Sequence, residues 1–266
     1  MKTLRTRLAA AVVGVGLAVA APAAAWAGPS GAVSSSPAGS SNPAGPSAPA
    51  GSSASAGSTR RDIEALRARC LAAIEVRLPA LAAARADIGG NGHVTGEHEA
   101  ALTADVDATA ARLHTLADEI KADTDLAALR DHCRSIFEDN RVFALVLPRT
   151  RLVVGADTAT DAGARLHDVA GKLGDAIAKE EAAGRDMSQA KTDLDAMKAQ
   201  IASAVAAAGT VPGAVLGLTP ADWNANHDVL QPARQSLRVA RADLKVARDL
   251  ALKIRRELEI PAQPQV

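Results

Sequence analysis

Tyrosine is absent from this sequence, and phenylalanine and tryptophan occur twice each, so aromatic residues make up 2% of 266. Proteins that hold single-stranded nucleic acid stack its bases on aromatic side chains. This chain has almost nothing to stack with, and nucleic acid is not an expected partner. An excess of charge is missing too, with 30 basic against 30 acidic residues. No overall field draws the protein toward polyanions or polycations. Alternating strand patterns are scarce. The GxSxG, HExxH, P-loop and GxGxxG motifs do not occur, which removes the common signatures of acyl transfer, zinc proteolysis and nucleotide binding. The sequence predicts no enzyme and no cofactor.

What is present begins with an export pattern. Lys2, Arg5 and Arg7 precede an apolar run from Leu8 to Ala21, and Ala25-Trp26-Ala27 supplies small residues at the two positions a signal peptidase reads. Residues 1–27 are expected to be a signal peptide, which makes the protein secreted or envelope-associated. Its removal leaves a net charge of −3. Residues 28–59 hold only Gly, Pro, Ser, Ala, Thr, Asn and one Val, with no charge. Such a composition buries too little apolar surface to offset the entropy of ordering, so it is expected to be a disordered linker. Residues 260–266 are expected to be a disordered tail.

From Arg60 the spacing becomes helical. Ile63, Leu66, Cys70, Ile74, Leu78, Leu81 and Ile88 share one stripe, which Pro79 is expected to kink or divide. Thr95 is placed to cap a second helix whose stripe is Leu102, Val106, Thr109, Leu113, Leu116 and Ile120. Asp123 or Thr124 is expected to cap a third, carrying Leu126, Leu129, Cys133, Ile136 and Phe137. The densest apolar run of the chain after its signal, Val142 to Leu147, follows and is interrupted by Pro148. With both phenylalanines in it, Leu126–Val154 is expected to form the centre of the core. A fourth helix holds Leu166, Val169, Leu173 and Ile177. Its Gly163, Gly171 and Gly174 imply close approach of a neighbour, since each costs about 1 kcal/mol against alanine in a helix interior. A fifth repeats Met187, Ala190, Leu194, Met197, Ile201 and Val205. Thr219-Pro220 opens another segment, and the last helix places Leu230, Leu237, Leu244, Ala251 and Leu258 seven apart. These elements predict an all-α fold, an elongated antiparallel bundle of five or six long helices with coiled-coil-like packing over residues 60–259. A coiled coil completed by a second chain is the alternative, and the protein is expected to be a monomer or a homodimer.

The segment Arg141-Val-Phe-Ala-Leu-Val-Leu-Pro-Arg-Thr-Arg-Leu-Val, behind an export signal and ahead of alanine-rich helices, resembles uncharacterised secreted helical proteins of actinobacteria. The resemblance covers about residues 60–259. It implies an all-α fold and export, and carries no activity with it.

Four features are candidate sites. Two cysteines in an exported chain favour a Cys70–Cys133 disulfide; the rival is Cys133 as a nucleophile beside His132. The turn from Asp87 to Glu99 resembles an EF-hand loop, with Asp87, Asn91, Thr95, Glu97 and Glu99 as candidate calcium ligands. Its third position is Gly89 and its twelfth His98, where a bidentate acid is needed. A basic stripe of Arg234, Arg238, Arg241, Lys245, Arg248 and Arg255 steps along the last helix, suited to an anionic wall polymer or lipid surface. The eight acidic residues between Gly96 and Asp125 offer a counter-face inside the bundle instead, and a merely solvated helix face is the third reading. Last, the uncharged run Ala199–Ala221 is long enough to span a membrane, but polar residues and a break at Gly209 and Pro212-Gly213 make it a helix end and packed loop. The expected function is a non-enzymatic interaction module with a protein or cell-wall partner. The alternatives are apolipoprotein-like binding to anionic surfaces and calcium binding at 87–99.

Overall fold

The computed structural model describes residues 52–259, with side chains from Arg60 onward. The expected signal peptide at 1–27, most of the expected linker and the tail at 260–266 lie outside the described residues. The described chain is all-helical, and no β-strand occurs in it. Its elements are α1 (Ser52–Gly89), α2 (Gly96–Ala122), α3 (Leu126–Glu138), a π-helical turn (Val142–Val146), α4 (Leu147–Ala182), α5 (Ser188–Val215), the short α6 (Pro220–Ala225) and α7 (Gln231–Glu259).

α1 starts at Ser52, inside the stretch read as linker. No proline follows Pro49 there, and adding residues to an existing helix costs little once a nucleus exists downstream. Proline also terminates less than its position suggests. Pro79 lies inside an undivided α1 and Pro212 inside an unbroken α5; packing along both helices holds them together where one backbone bond is lost. Pro148 sits in the first turn of α4, where the missing N–H had no helical partner to lose. The run before it forms the π-turn and feeds directly into α4.

The caps explain the boundaries. Thr95 accepts from the His98 amide and opens α2. α3 is capped by Asp125, whose carboxylate accepts from Ala128 N at 2.9 Å, rather than by Asp123 or Thr124. Thr219 and Asp222 form a reciprocal capping box on α6. Two arginines close helix C-termini by donating to their last carbonyls: Arg67 to Ile120 O and Asp123 O of α2, and Arg185 to Leu258 O and Glu257 O of α7.

α2 packs on α1, α3 packs on both, and α4, α5 and α7 pack on one another. The core forms two clusters. The larger joins α1, α2, α3, the π-turn, the first half of α4, the end of α5 and the start of α7. The smaller consists of Ala170, Ile177, Met187, Ala190, Leu194, Met197, Ile201, Ala247 and Ile254, from the far ends of α4, α5 and α7 and the loop before α5. Leu129, Ile136, Val142, Leu145 and Val146 are buried as expected of the central stretch. Its phenylalanines are not: Phe137 is 48% and Phe143 45% exposed, which corrects their assignment to the core.

The glycines of α4 divide. A Cβ on Gly163 would stand 2.5 Å from Val205 Cγ2, so α5 does approach there. Gly174 has only an ordinary contact with Leu194, and Gly171 has nothing within 4 Å. Close approach therefore accounts for the first alone.

Candidate functional site

Cys70 of α1 and Cys133 of α3 form a disulfide with Cα atoms 5.6 Å apart. Both lie in their helices' buried stripes, which is where packed helices are close enough to be bridged. Neither sulfur remains as a thiol, so the nucleophile reading of Cys133 falls. His132 turns instead to Asp123, with Nδ1 2.9 Å from Oδ2. Its pKa is raised, first by that hydrogen bond, with the charges of Asp123, Glu119 and Asp131 adding and burial opposing.

The EF-hand-like loop is organised around α4 rather than around a central ion. Asn91 Oδ1 accepts from His93 N at 3.0 Å, and Thr95 Oγ1 accepts from His98 N at 3.3 Å. Asp157, buried at 6% exposure, accepts from Thr95 N at 3.0 Å. Its two oxygens each lie 2.9 Å from His98 Nδ1. One turn along α4, Asp161 Oδ2 lies 3.0 Å from His93 Nδ1 and 2.9 Å from Arg165 Nε. His98, at the position where calcium needs an acid, is thus committed to α4. Asp87, Glu97 and Glu99 are exposed. Among the described residues no group of three or more His, Cys, Asp or Glu side chains is placed to hold a metal ion. Asp87, Glu97 and Glu99 therefore form no such group, Asn91 and Thr95 accept from backbone amides, and the loop is a helix connection latched by two His–Asp pairs. The open depression beside it, about 550 Å³, is lined by Ala86, Asp87, Gly90, Asn91, Gly92, His93 and Val154.

The basic stripe is laid out on α7 as its spacing implies. Arg238, Arg241, Lys245, Arg248 and Arg255 are exposed and Arg234 half-buried. The acidic face of α2 does not neutralise it. α7 packs on α5 and α4, and the α2 carboxylates pair with cations elsewhere: Asp105 with Arg149, Asp107 with Arg85, and Asp118 with Lys121. The stripe's own ion pairs are Lys245–Asp249 at 3.3 Å and Arg255–Glu259 at 3.5 Å, both within α7 and exposed. Such pairs contribute little. Arg238 donates to Gln235 Oε1 at 2.6 Å. Arg234, Arg241 and Arg248, seven apart and so two turns from one another, have no ion pair among the described residues.

Ala199–Ala221 resolves into the end of α5, a short loop and the start of α6. Among the described residues no helix is long and apolar enough to cross a membrane. No family model matches the chain, and neither a curated protein nor a solved structure matches it.

Proposed function

We propose that this protein is a non-enzymatic, exported helical bundle that docks on a polyanionic surface of the cell envelope through the basic face of α7. The observation that carries the reading is the row Arg234, Arg241 and Arg248, three cations without a counter-ion in the bundle. With Arg238, Lys245 and Arg255 it forms a strip about 30 Å long. Spaced phosphates or carboxylates on a wall polymer or lipid headgroups match such a strip, and binding to them falls with salt. The long helices are read as packed in an antiparallel, coiled-coil-like manner, which keeps the apolar seam of α7 inside: Leu237, Ala240, Ala247 and Ile254 are buried. That favours surface contact by an intact bundle over the apolipoprotein-like alternative, in which the helices would open and spread on lipid.

The test is co-sedimentation of the full exported chain with purified cell wall and, separately, with anionic vesicles, at low and high salt. Salt-sensitive pelleting with one of them, lost in the triple variant Arg234→Gln/Arg241→Gln/Arg248→Gln, is the expected result and separates polymer from lipid. Pelleting that the triple variant retains, or none in either arm, would remove α7 as a binding face.

A further inference from the structure

The two phenylalanines of this chain are both half-exposed and meet at one arginine, Phe137 from the end of α3 and Phe143 from the π-turn. Arg77 of α1 lies over both rings, with its guanidinium carbon 4.5 Å from the Phe137 centroid and 5.3 Å from that of Phe143. Val76, its neighbour in sequence, is 62% exposed, the most exposed large apolar side chain among the described residues. Arg77 is short of partners. Its Nη1 donates to Ala73 O at 2.6 Å, its Nε is buried without an acceptor, and no carboxylate pairs with it among the described residues. Burial lowers its pKa, which marks a cation that has lost water without gaining an anion.

Three devices build this arrangement. The disulfide fixes α1 against α3, and Arg77 lies two turns beyond Cys70 while Phe137 lies one turn beyond Cys133. The π-turn adds a residue to the helical path beside Phe143, a feature that recurs at functional sites. Before it, Arg141 holds a left-handed backbone at φ 39°, uncommon for a residue with a side chain. Arg141 Nε donates to Asn224 Oδ1 at 2.6 Å, and Asn224 Nδ2 donates to Glu138 O at 3.1 Å. α6 thereby latches the corner from which Phe143 projects.

We infer that Arg77, Phe137 and Phe143 form a docking site for a segment of a partner protein that carries a carboxylate next to an apolar side chain. The cation supplies the charge complement for the carboxylate, and the exposed rings supply the surface for its neighbour. A cationic partner is repelled. A second copy of this chain seated face to face on the same patch brings Arg77 against Arg77 and is disfavoured for the same reason. The site shares no residue with the stripe on α7, and stands or falls independently of it.

The test uses the full oxidised chain with ring-labelled phenylalanine and two probes: an acetylated, amidated peptide Glu-Leu-Phe-Glu and its Gln-Leu-Phe-Gln counterpart. The acidic peptide is expected to shift the Phe137 and Phe143 ring signals and to bind at least tenfold more tightly than the neutral one. Arg77→Met should abolish that preference, and Phe143→Ala should weaken binding about tenfold while the melting temperature holds, because the ring is exposed. The triple glutamine variant of α7 should bind unchanged. Equal binding of both peptides, no ring shifts, or full binding by Phe143→Ala overturns the assignment. Anionic-vesicle binding that Phe143→Ala abolishes, without peptide binding, reassigns the patch to lipid.

Discussion

Arg149 on the first turn of α4 is 4% exposed, and its guanidinium is shared between the carboxylate of Asp105 on α2 and the carbonyl of Leu218 ahead of α6. One buried cation therefore joins three elements that are far apart in sequence. Removing Asp105 leaves that cation without its anion, at a cost of about 3 kcal/mol after allowance for the partial exposure of Asp105. Asp105→Ala should lower the denaturation midpoint accordingly, and the double variant Asp105→Leu/Arg149→Met should recover much of the loss. A double variant less stable than Asp105→Ala would show that the pair itself, rather than its breakage, carries the effect.

His132 gives a pH dependence with a defined sign. Its raised pKa means the folded chain holds that proton more tightly than the unfolded one, whose ordinary value is 6.5. The contribution is fully present below that value and is lost as pH rises through the folded pKa. The stability advantage over His132→Gln should accordingly be constant in acid and shrink as the pH rises above 6.5 through the folded-state midpoint. A proton titration by nuclear magnetic resonance should place the His132 midpoint above 6.5, and Asp123→Asn should lower it. An unchanged midpoint in that variant would exclude Asp123 as the cause.

The Cys70–Cys133 bridge closes a sequence separation of 63 residues. In the chain-entropy view this stabilises by roughly 4 kcal/mol, on the order of 10 °C in melting temperature for a domain of this size. Calorimetry with and without reductant measures it directly. A shift under about 2 °C would mean that the unfolded chain is already compact around this pair.

Two glycines of one helix should respond with opposite signs. Gly171→Ala adds a methyl group in open space and should stabilise by up to about 1 kcal/mol through helix propensity alone. Gly163→Ala places its Cβ against Val205, whose branched side chain has little freedom to move. Overpacking of about 1–3 kcal/mol should outweigh the propensity gain. Thermal melts of the two variants decide it, and stabilisation by both would show that α5 yields easily.

The stripes were legible because burial in a helix repeats locally. All six α2 residues picked by spacing are buried, and both bridged cysteines lie in such stripes. The misreadings share a different origin. Hydrophobicity alone put Phe137 and Phe143 inside, but their exposure depends on how the π-turn and Arg77 meet them. The partner of His98 is Asp157, 59 residues away, and no local spacing announces a contact at that distance. Arg149 and Asp157 look like ordinary polar residues in sequence, since burial of a charge is decided by its tertiary partners. The α7 stripe was legible as a pattern, while its freedom from α2 depended on which helices pack together.

The division of the core into two clusters has a dynamic consequence. α4, α5 and α7 belong to both, but the disulfide, the buried Arg149 and the His98–Asp157 pair all secure the larger one. The alanine- and methionine-rich end is held by a separate set of contacts, Arg185 on the last carbonyls of α7 and Lys253 paired with Asp193. Amide hydrogen exchange should therefore draw its boundary across these three helices, not between helices. Within each of them, protection should fall from the secured end to the other, so that one continuous helix spans two cooperative units.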